Sequence, residues 1–154
     1  MSNFQLMLQE NMSDNDIRNM MLKLLLSMKD YARSSIMTGS THNGTPVIGG
    51  KVVSDTYTET ASNSYLQFDF PEAPLLNDIT FHLWDHDDRV YTYSIDVLSN
   101  GGWKNVIENR QGKGIQYIHF PDMEKVKAIR MKGTNTINAF LHLLNDSLSF
   151  RYTL

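Results

Sequence analysis

The spacing of apolar residues divides the chain into two regions. Residues 1 to 36 hold six of the nine methionines and no glycine or proline, and their apolar residues repeat at helical spacing. Ser13 with Asp16 three positions later resembles a capping box in which Asp replaces the usual Glu, so a helix is predicted from about Asp14 to Arg33. The seam of this helix, at alternating steps of four and three, consists of Ile17, Met21, Leu24, Met28 and Tyr31.

Leu25 lies beside this seam and, with Leu22 and Leu26, widens the apolar stripe beyond what a two-stranded coil requires. Such a helix needs apolar cover, either from its own β-domain or from a protein partner or a second copy of the chain, and these alternatives stay open. The residues predicted to bind a partner are Ile17, Met21, Leu24, Leu25, Met28 and Tyr31.

The second region alternates apolar and polar residues with period two, between short segments rich in Gly, Asn, Asp and Ser. We therefore predict a helical extension over 1–36, a linker over 37–46 and a β-domain over 47–154, and we expect the β-domain to fold without the extension. Nine short strands indicate an all-β, antiparallel sandwich. The predicted strands are Val47–Val53, Tyr65–Phe70, Ile79–Trp84, Tyr91–Leu98, Trp103–Ile107, Ile115–Phe120, Val126–Lys132, Phe140–Leu144 and Leu148–Thr153.

Charge and composition narrow the class of partner. A formal charge of -3 provides no overall positive field for nucleic acid. No apolar run reaches the roughly 18 residues that span a bilayer, and the first residues lack the pattern of a secretory signal. With no cysteine in the sequence, these features favour a cytoplasmic protein that neither binds nucleic acid nor inserts into a membrane.

Three segments follow one another along the chain: SYLQFDF, then ITFHLWDHDDRVYTYSIDVLSNGGWKNVI, then AIRMKGTNTINAFLHL. In this order they resemble the discoidin family, also called the coagulation factor V/VIII type C or galactose-binding-like domain. WDHDDR and the later GTNT are most similar to the intracellular discoidin domains of BTB-domain adaptor proteins. The resemblance covers roughly residues 47 to 144, and this chain has no BTB region and no cysteines to join its ends. It implies a jelly-roll-like sandwich that binds a ligand or a protein through loops at one end.

Strand reversal supports the same location independently. If neighbouring strands are antiparallel, the loops Ser54–Ser64, Asp85–Val90 and Gly133–Ala139 lie at one end of the sandwich. Asn77 is expected at the opposite end of the sandwich and serves as the control position for substitutions in these loops. The candidate ligand-binding residues are Tyr57, Asn63, Asp85, His86, Asp87, Asp88, Arg89, Asn135, Thr136 and Asn138.

The segment from Asp85 to Arg89 is the densest charge cluster of the β-domain. Asp85, Asp87 and Asp88 are oxygen donors that suit calcium, but their spacing is not that of an EF-hand. We favour instead an ion pair between Arg89 and one of these carboxylates, so no metal or other cofactor is expected and calcium is the minor alternative.

The two tryptophans are predicted to anchor the core, Trp103 more firmly than Trp84. The sequence has no cysteine and no glycine loop that fits a phosphate, so we do not expect an enzyme. The favoured function is a protein-interaction adaptor or scaffold subunit of a larger intracellular assembly, with a cytoskeletal or ciliary setting as an extension by analogy. The alternative is a carbohydrate-binding, lectin-like domain, with or without calcium.

Overall fold

The computed structural model describes residues 12–39, 57–59, 65–134 and 141–154, with only the backbone described for 57–59, 145 and 146. The predicted strand Val47–Val53 and the linker residues 40 to 46 therefore lie outside the described residues. The described elements are helix α1 (Asp14–Leu26) and strands β1 (Ile36–Thr38), β2 (Tyr57–Glu59), β3 (Tyr65–Asp69), β4 (Leu76–Leu83), β5 (Tyr91–Ser99), β6 (Gly102–Gly112), β7 (Ile115–Met123), β8 (Ala128–Gly133) and β9 (His142–Arg151).

The strands form two antiparallel sheets, as the alternation of apolar and polar residues predicts. One sheet has the order β1-β3-β8-β5-β6, and the other has the order β2-β9-β4-β7. Strands β3, β4 and β5 bury every second residue, so each gives one face to the interior. The predicted all-β sandwich with an N-terminal helix is confirmed.

The core lies between the two sheets and is rich in aromatic rings. Phe68 of one sheet contacts Phe150 of the other with ring centroids 5.0 Å apart, and Phe81 meets Tyr93 edge to face at 5.2 Å. All four side chains are essentially inaccessible to solvent. Rings of this size bury much apolar area and prefer such tilted contacts, which fixes the two sheets face to face.

The start of α1 agrees with the sequence, but its end does not. The Ser13 hydroxyl accepts a hydrogen bond from the Asp16 backbone N–H at 3.2 Å, and the Asp16 carboxylate accepts one from the Ser13 N–H at 3.3 Å. The predicted capping box is thus present. The helix ends at Leu26, seven residues before the predicted end at Arg33.

Contacts with strand β9 explain the early end of the helix. The Tyr31 backbone N–H donates to the Phe150 carbonyl at 2.9 Å, and the Phe150 N–H donates to the Asp30 carboxylate at 3.0 Å. Tyr31 is 5% exposed and belongs to the sandwich core, so its assignment to a partner-binding helix is corrected. Ile36–Thr38 pairs with β3 as β1, although the sequence pattern assigns these residues to the extension and the linker.

Strand β9 differs from the two strands predicted for its region. It runs without a break from His142 to Arg151 and includes residues 145 to 148, which lie at a register shift opposite β4, between Thr80 and His82. Tyr57, expected in a loop, lies in β2 and pairs with Leu144 of β9.

Asn77 is buried and therefore is not suited as the control position for the loop substitutions. It is 2% exposed, its amide N–H groups donate to the Asp122 carboxylate at 3.0 Å and the Thr153 carbonyl at 2.7 Å, and its oxygen accepts from the Thr153 N–H at 2.7 Å. These bonds fasten the last residues of the chain to the sandwich. The alternation of β4 is interrupted at this position, where both Leu76 and Asn77 are buried beside a register shift.

Candidate functional site

The ends of several described strands meet at one end of the sandwich. Tyr65 pairs with Lys132, Tyr93 pairs with Gly133, and Tyr91 pairs with Gly112. Strand β4 ends here at Leu83, which pairs with Leu143 near the start of β9. The loop from Asp85 to Val90 therefore lies beside the ends of β6, β8 and β9, as strand reversal predicts. Asn63, Asn135, Thr136 and Asn138 lie outside the described residues, so their membership of this end stays a prediction.

A cluster of rings surrounds Trp84 at this end, and we call Trp84, His86 and His142 the ring cluster. The indole of Trp84 stacks on His142 with centroids 4.6 Å apart and 29° between the planes. The half-exposed His86 ring is tilted against the same indole, with centroids 4.5 Å apart. Trp84 also packs against the core, so its predicted anchoring role agrees with its position. The cluster presents a partly exposed aromatic surface beside the acidic loop.

An ion pair organises the acidic loop. Arg89 donates from its guanidinium to the Asp87 carboxylate at 3.0 Å and from its backbone N–H to the same carboxylate at 3.0 Å. The Trp84 indole N–H donates to Asp87 as well, at 3.2 Å. These contacts, led by the Arg89 backbone N–H, lower the pKa of Asp87 below its ordinary value of 3.8. Arg89 thus pairs with a carboxylate of its own loop, as expected.

Asp85 lies between two histidines. Its carboxylate contacts the His82 Nε2 at 2.8 Å and lies 3.7 Å from the His86 Nε2. The hydrogen bond from His82 is the main cause that lowers the pKa of Asp85. Gly114 in the β6–β7 turn has φ of +72°, and a Cβ atom at this position would lie 3.5 Å from the Asp85 carboxylate. Asp88 is exposed to solvent, and no group of three or more His, Cys, Asp or Glu side chains able to hold a metal ion occurs among the described residues.

Part of the ring cluster is indicated by residue order alone. His82, Trp84 and His86 recur at every second residue, which is the spacing of side chains on one face of an extended strand. His142 is 58 positions further along the chain than Trp84, so only the pairing of β4 with β9 brings it to the cluster.

Trp103 is corrected from a core residue to a surface residue. It is 38% exposed on the outer face of the larger sheet, where the Arg130 guanidinium lies 4.0 Å from its ring centroid. The same guanidinium lies 4.1 Å from the Tyr65 ring, and its Nε donates to Asp96 at 3.0 Å. Register shifts between β5 and β6 break the simple alternation that the core prediction assumes.

The second notable surface is the outer side of α1. Met20 is the one buried side chain of this helix, at 7% exposure. Twelve large hydrophobic residues are exposed in the described part of the chain, and six of them lie between Ile17 and Met28. These six define the apolar helix face, which consists of Ile17, Met21, Leu22, Leu24, Leu25 and Met28. Within the described residues, no helix has the length and apolarity needed to cross a bilayer.

Comparison with solved structures identifies the fold. One similar structure is a family 32 carbohydrate-binding module of AlyQ, solved in complex with 4,5-unsaturated mannuronic acid. The match covers 79% of this chain and 98% of the module's chain, with a TM-score of 0.59 and 18% sequence identity. The family 32 module of Streptococcus pneumoniae EndoD covers 80% of this chain and 99% of its own, with a TM-score of 0.58 and 10% identity. A pectin-binding module covers 74% of this chain and 88% of its own, with a TM-score of 0.57 and 14% identity. The chain therefore has the galactose-binding-like, discoidin-type fold.

Sequence comparison adds a partial similarity. Over 85 residues the chain is 32% identical to BTB/POZ domain-containing protein 9 of Homo sapiens. The aligned segment covers 53% of this chain and 14% of that protein. The Drosophila melanogaster protein of the same name is 32% identical over 74 residues, covering 46% of this chain and 10% of the relative. The chain thus spans a small part of the curated relatives it matches. No family model matches the sequence.

Proposed function

We propose that this chain is a non-catalytic binding module that serves as an adaptor or scaffold subunit of a larger intracellular assembly, with a cytoskeletal or ciliary complex as one setting. The observation that carries the proposal is the apolar helix face. Leu25 of α1 is 64% exposed, Met28 just beyond its end is 75% exposed, and Met20 is the one buried side chain of this helix. Contiguous exposed apolar surface of this kind marks sites of protein interaction.

The partial similarity to a BTB/POZ domain-containing protein supports the same proposal, since it covers part of a much longer chain. The loop end provides a second surface, so the module is able to contact one protein through α1 and present the loop end to another ligand. Binding of this type requires no cofactor.

Co-purification with matched variants tests the adaptor proposal. Leu25→Glu places a charge on the apolar helix face, whereas Leu154→Glu makes the same change at an exposed leucine of the last residue. We expect the wild type and Leu154→Glu to retain a stoichiometric protein subunit and Leu25→Glu to lose it. Retention of that subunit by Leu25→Glu, with both variants melting like the wild type, would contradict the proposal.

The ring cluster favours carbohydrate as the second candidate ligand. Aromatic faces such as those of Trp84 and His86 stack on apolar faces of sugars, and polar groups such as Asp88 and those predicted at Tyr57 and Asn135 bind hydroxyl groups. The solved neighbours named as carbohydrate-binding modules support this candidate. Calcium at Asp85, Asp87 and Asp88 belongs to this alternative. Saturable binding of an oligosaccharide that His86→Ala abolishes and Leu25→Glu preserves would favour it over the adaptor.

A further inference from the structure

We propose that the apolar helix face pairs with the same face of a second copy of this chain, with the two α1 helices antiparallel. This inference rests on the proposed function, because it names the first protein that docks on the helix. It depends on three properties of α1: how its seam matches itself, how its charges are ordered and how much area it offers.

The apolar residues of the seam face one another when the helix of a second copy runs in the opposite direction. Pairing about the midpoint between Met21 and Leu24 places Met21 of one copy opposite Leu24 of the other, and Ile17 opposite Met28, which lies in the turn directly after α1. All four residues are exposed in the single chain, by 39% to 75%. A two-fold axis through this midpoint buries the same patch on both copies, which is the usual arrangement in homodimers.

The order of charges selects the antiparallel direction. Asp14 and Asp16 lie in the first turn of α1, Lys23 lies in its last turn, and Lys29 follows the helix, ion-paired with Glu72 and with its side chain still 50% exposed. In this register a reversed copy places Asp16 of each helix opposite Lys29 of the other copy and opposes the two helix dipoles. A parallel copy would instead place the two pairs of carboxylates side by side, so the helix is complementary to itself in one direction.

The exposed area is sufficient for a dimer. Taking about 200 Å² for each large aliphatic residue, the exposed fractions of the six residues give roughly 650 Å² per copy and roughly 1,300 Å² in total. Stable interfaces bury about 1,200–2,000 Å² in total, so the face reaches the lower part of that range. We therefore expect a reversible dimer rather than an obligate one.

Sedimentation of the full chain across concentration tests the dimer. The wild type and Leu154→Glu should both pass from monomer to dimer as concentration rises. Leu25→Glu should weaken dimerisation by at least about a hundredfold, because a symmetric interface carries the change twice. A wild type that stays monomeric at about 100 µM, or a dimer that Leu25→Glu leaves unchanged, would overturn the inference.

Cross-linking tests the direction, and the absence of cysteine from the sequence makes each introduced thiol unique. In the antiparallel pair, Ile17 residues of the two copies are separated along the axis by about 16 Å, beyond the roughly 7 Å between Cα atoms that a disulfide allows. Mixing Ile17→Cys with Met28→Cys should therefore give a mixed disulfide, and Ile17→Cys alone should give none. Efficient self-linking of Ile17→Cys would show a parallel pair and refute the proposed one.

The two proposals fail in different ways. A monomeric chain that still carries another protein through Leu25 would leave the adaptor proposal intact and remove the homodimer. A dimer that carries no other protein would leave the homodimer intact and remove the adaptor proposal.

Discussion

Tyr31 and Met28 lie on the same apolar seam in the sequence but have different environments in the structure. Tyr31 is 5% exposed in the sandwich core, whereas Met28 is 75% exposed. Truncating a buried aromatic residue to alanine costs about 3–5 kcal/mol, because transfer energy is lost and a cavity remains. Truncating an exposed residue changes stability by about 0.5 kcal/mol or less. We expect Tyr31→Ala to lower the free energy of unfolding by about 3–4 kcal/mol and Met28→Ala to leave it nearly unchanged.

Urea unfolding at a concentration where the chain is monomeric measures this difference. A loss of about 3 kcal/mol also corresponds to a fall in melting temperature of roughly 6–12 °C for a domain of this size. Equal effects of the two substitutions would show that Tyr31 belongs to the exposed seam and that the helix continues past Leu26. A chain that begins at residue 37 would lack Asp30, Tyr31 and Ala32 and should be much less stable than one that begins at residue 12.

Two further predictions concern other parts of the sandwich. Asn77→Ala should lower the free energy of unfolding by about 2–4 kcal/mol, because it leaves the backbone groups of Thr153 without their partner. A loss below about 1 kcal/mol in urea unfolding would contradict this role of Asn77. Asp85 should stabilise the fold above its ordinary pKa of 3.8 and lose this effect as the pH falls through its lowered folded-state pKa, because protonation weakens its bond to His82. The difference in melting temperature between wild type and Asp85→Asn should therefore be larger at pH 6 than at about pH 2, with Asp88→Asn as the exposed control, and a difference independent of pH would refute the role of the charge.

The sequence alone determined the class of fold and the start of the helix. Period-two alternation is a property of a strand with one buried face, so β3, β4 and β5 are visible from residue order. The capping box is equally local, because Ser13 and Asp16 are three residues apart. The ion pair between Arg89 and Asp87 was also predictable, since two residues separated by one position in a tight loop have few other partners.

The tertiary structure decided everything that depends on residues far apart in sequence. The helical spacing of the seam does not show that residues near its end will pair with strand β9. Tyr31 is therefore assigned to the core only by its bond to Phe150, 119 residues later. Trp103 has the apolar character of a core residue, yet the register of β5 and β6 places it outside, against Arg130. The ring cluster likewise needs the pairing of β4 with β9 to bring His142 to Trp84. Periodicity records which face of an element is apolar, whereas long-range register decides what covers that face.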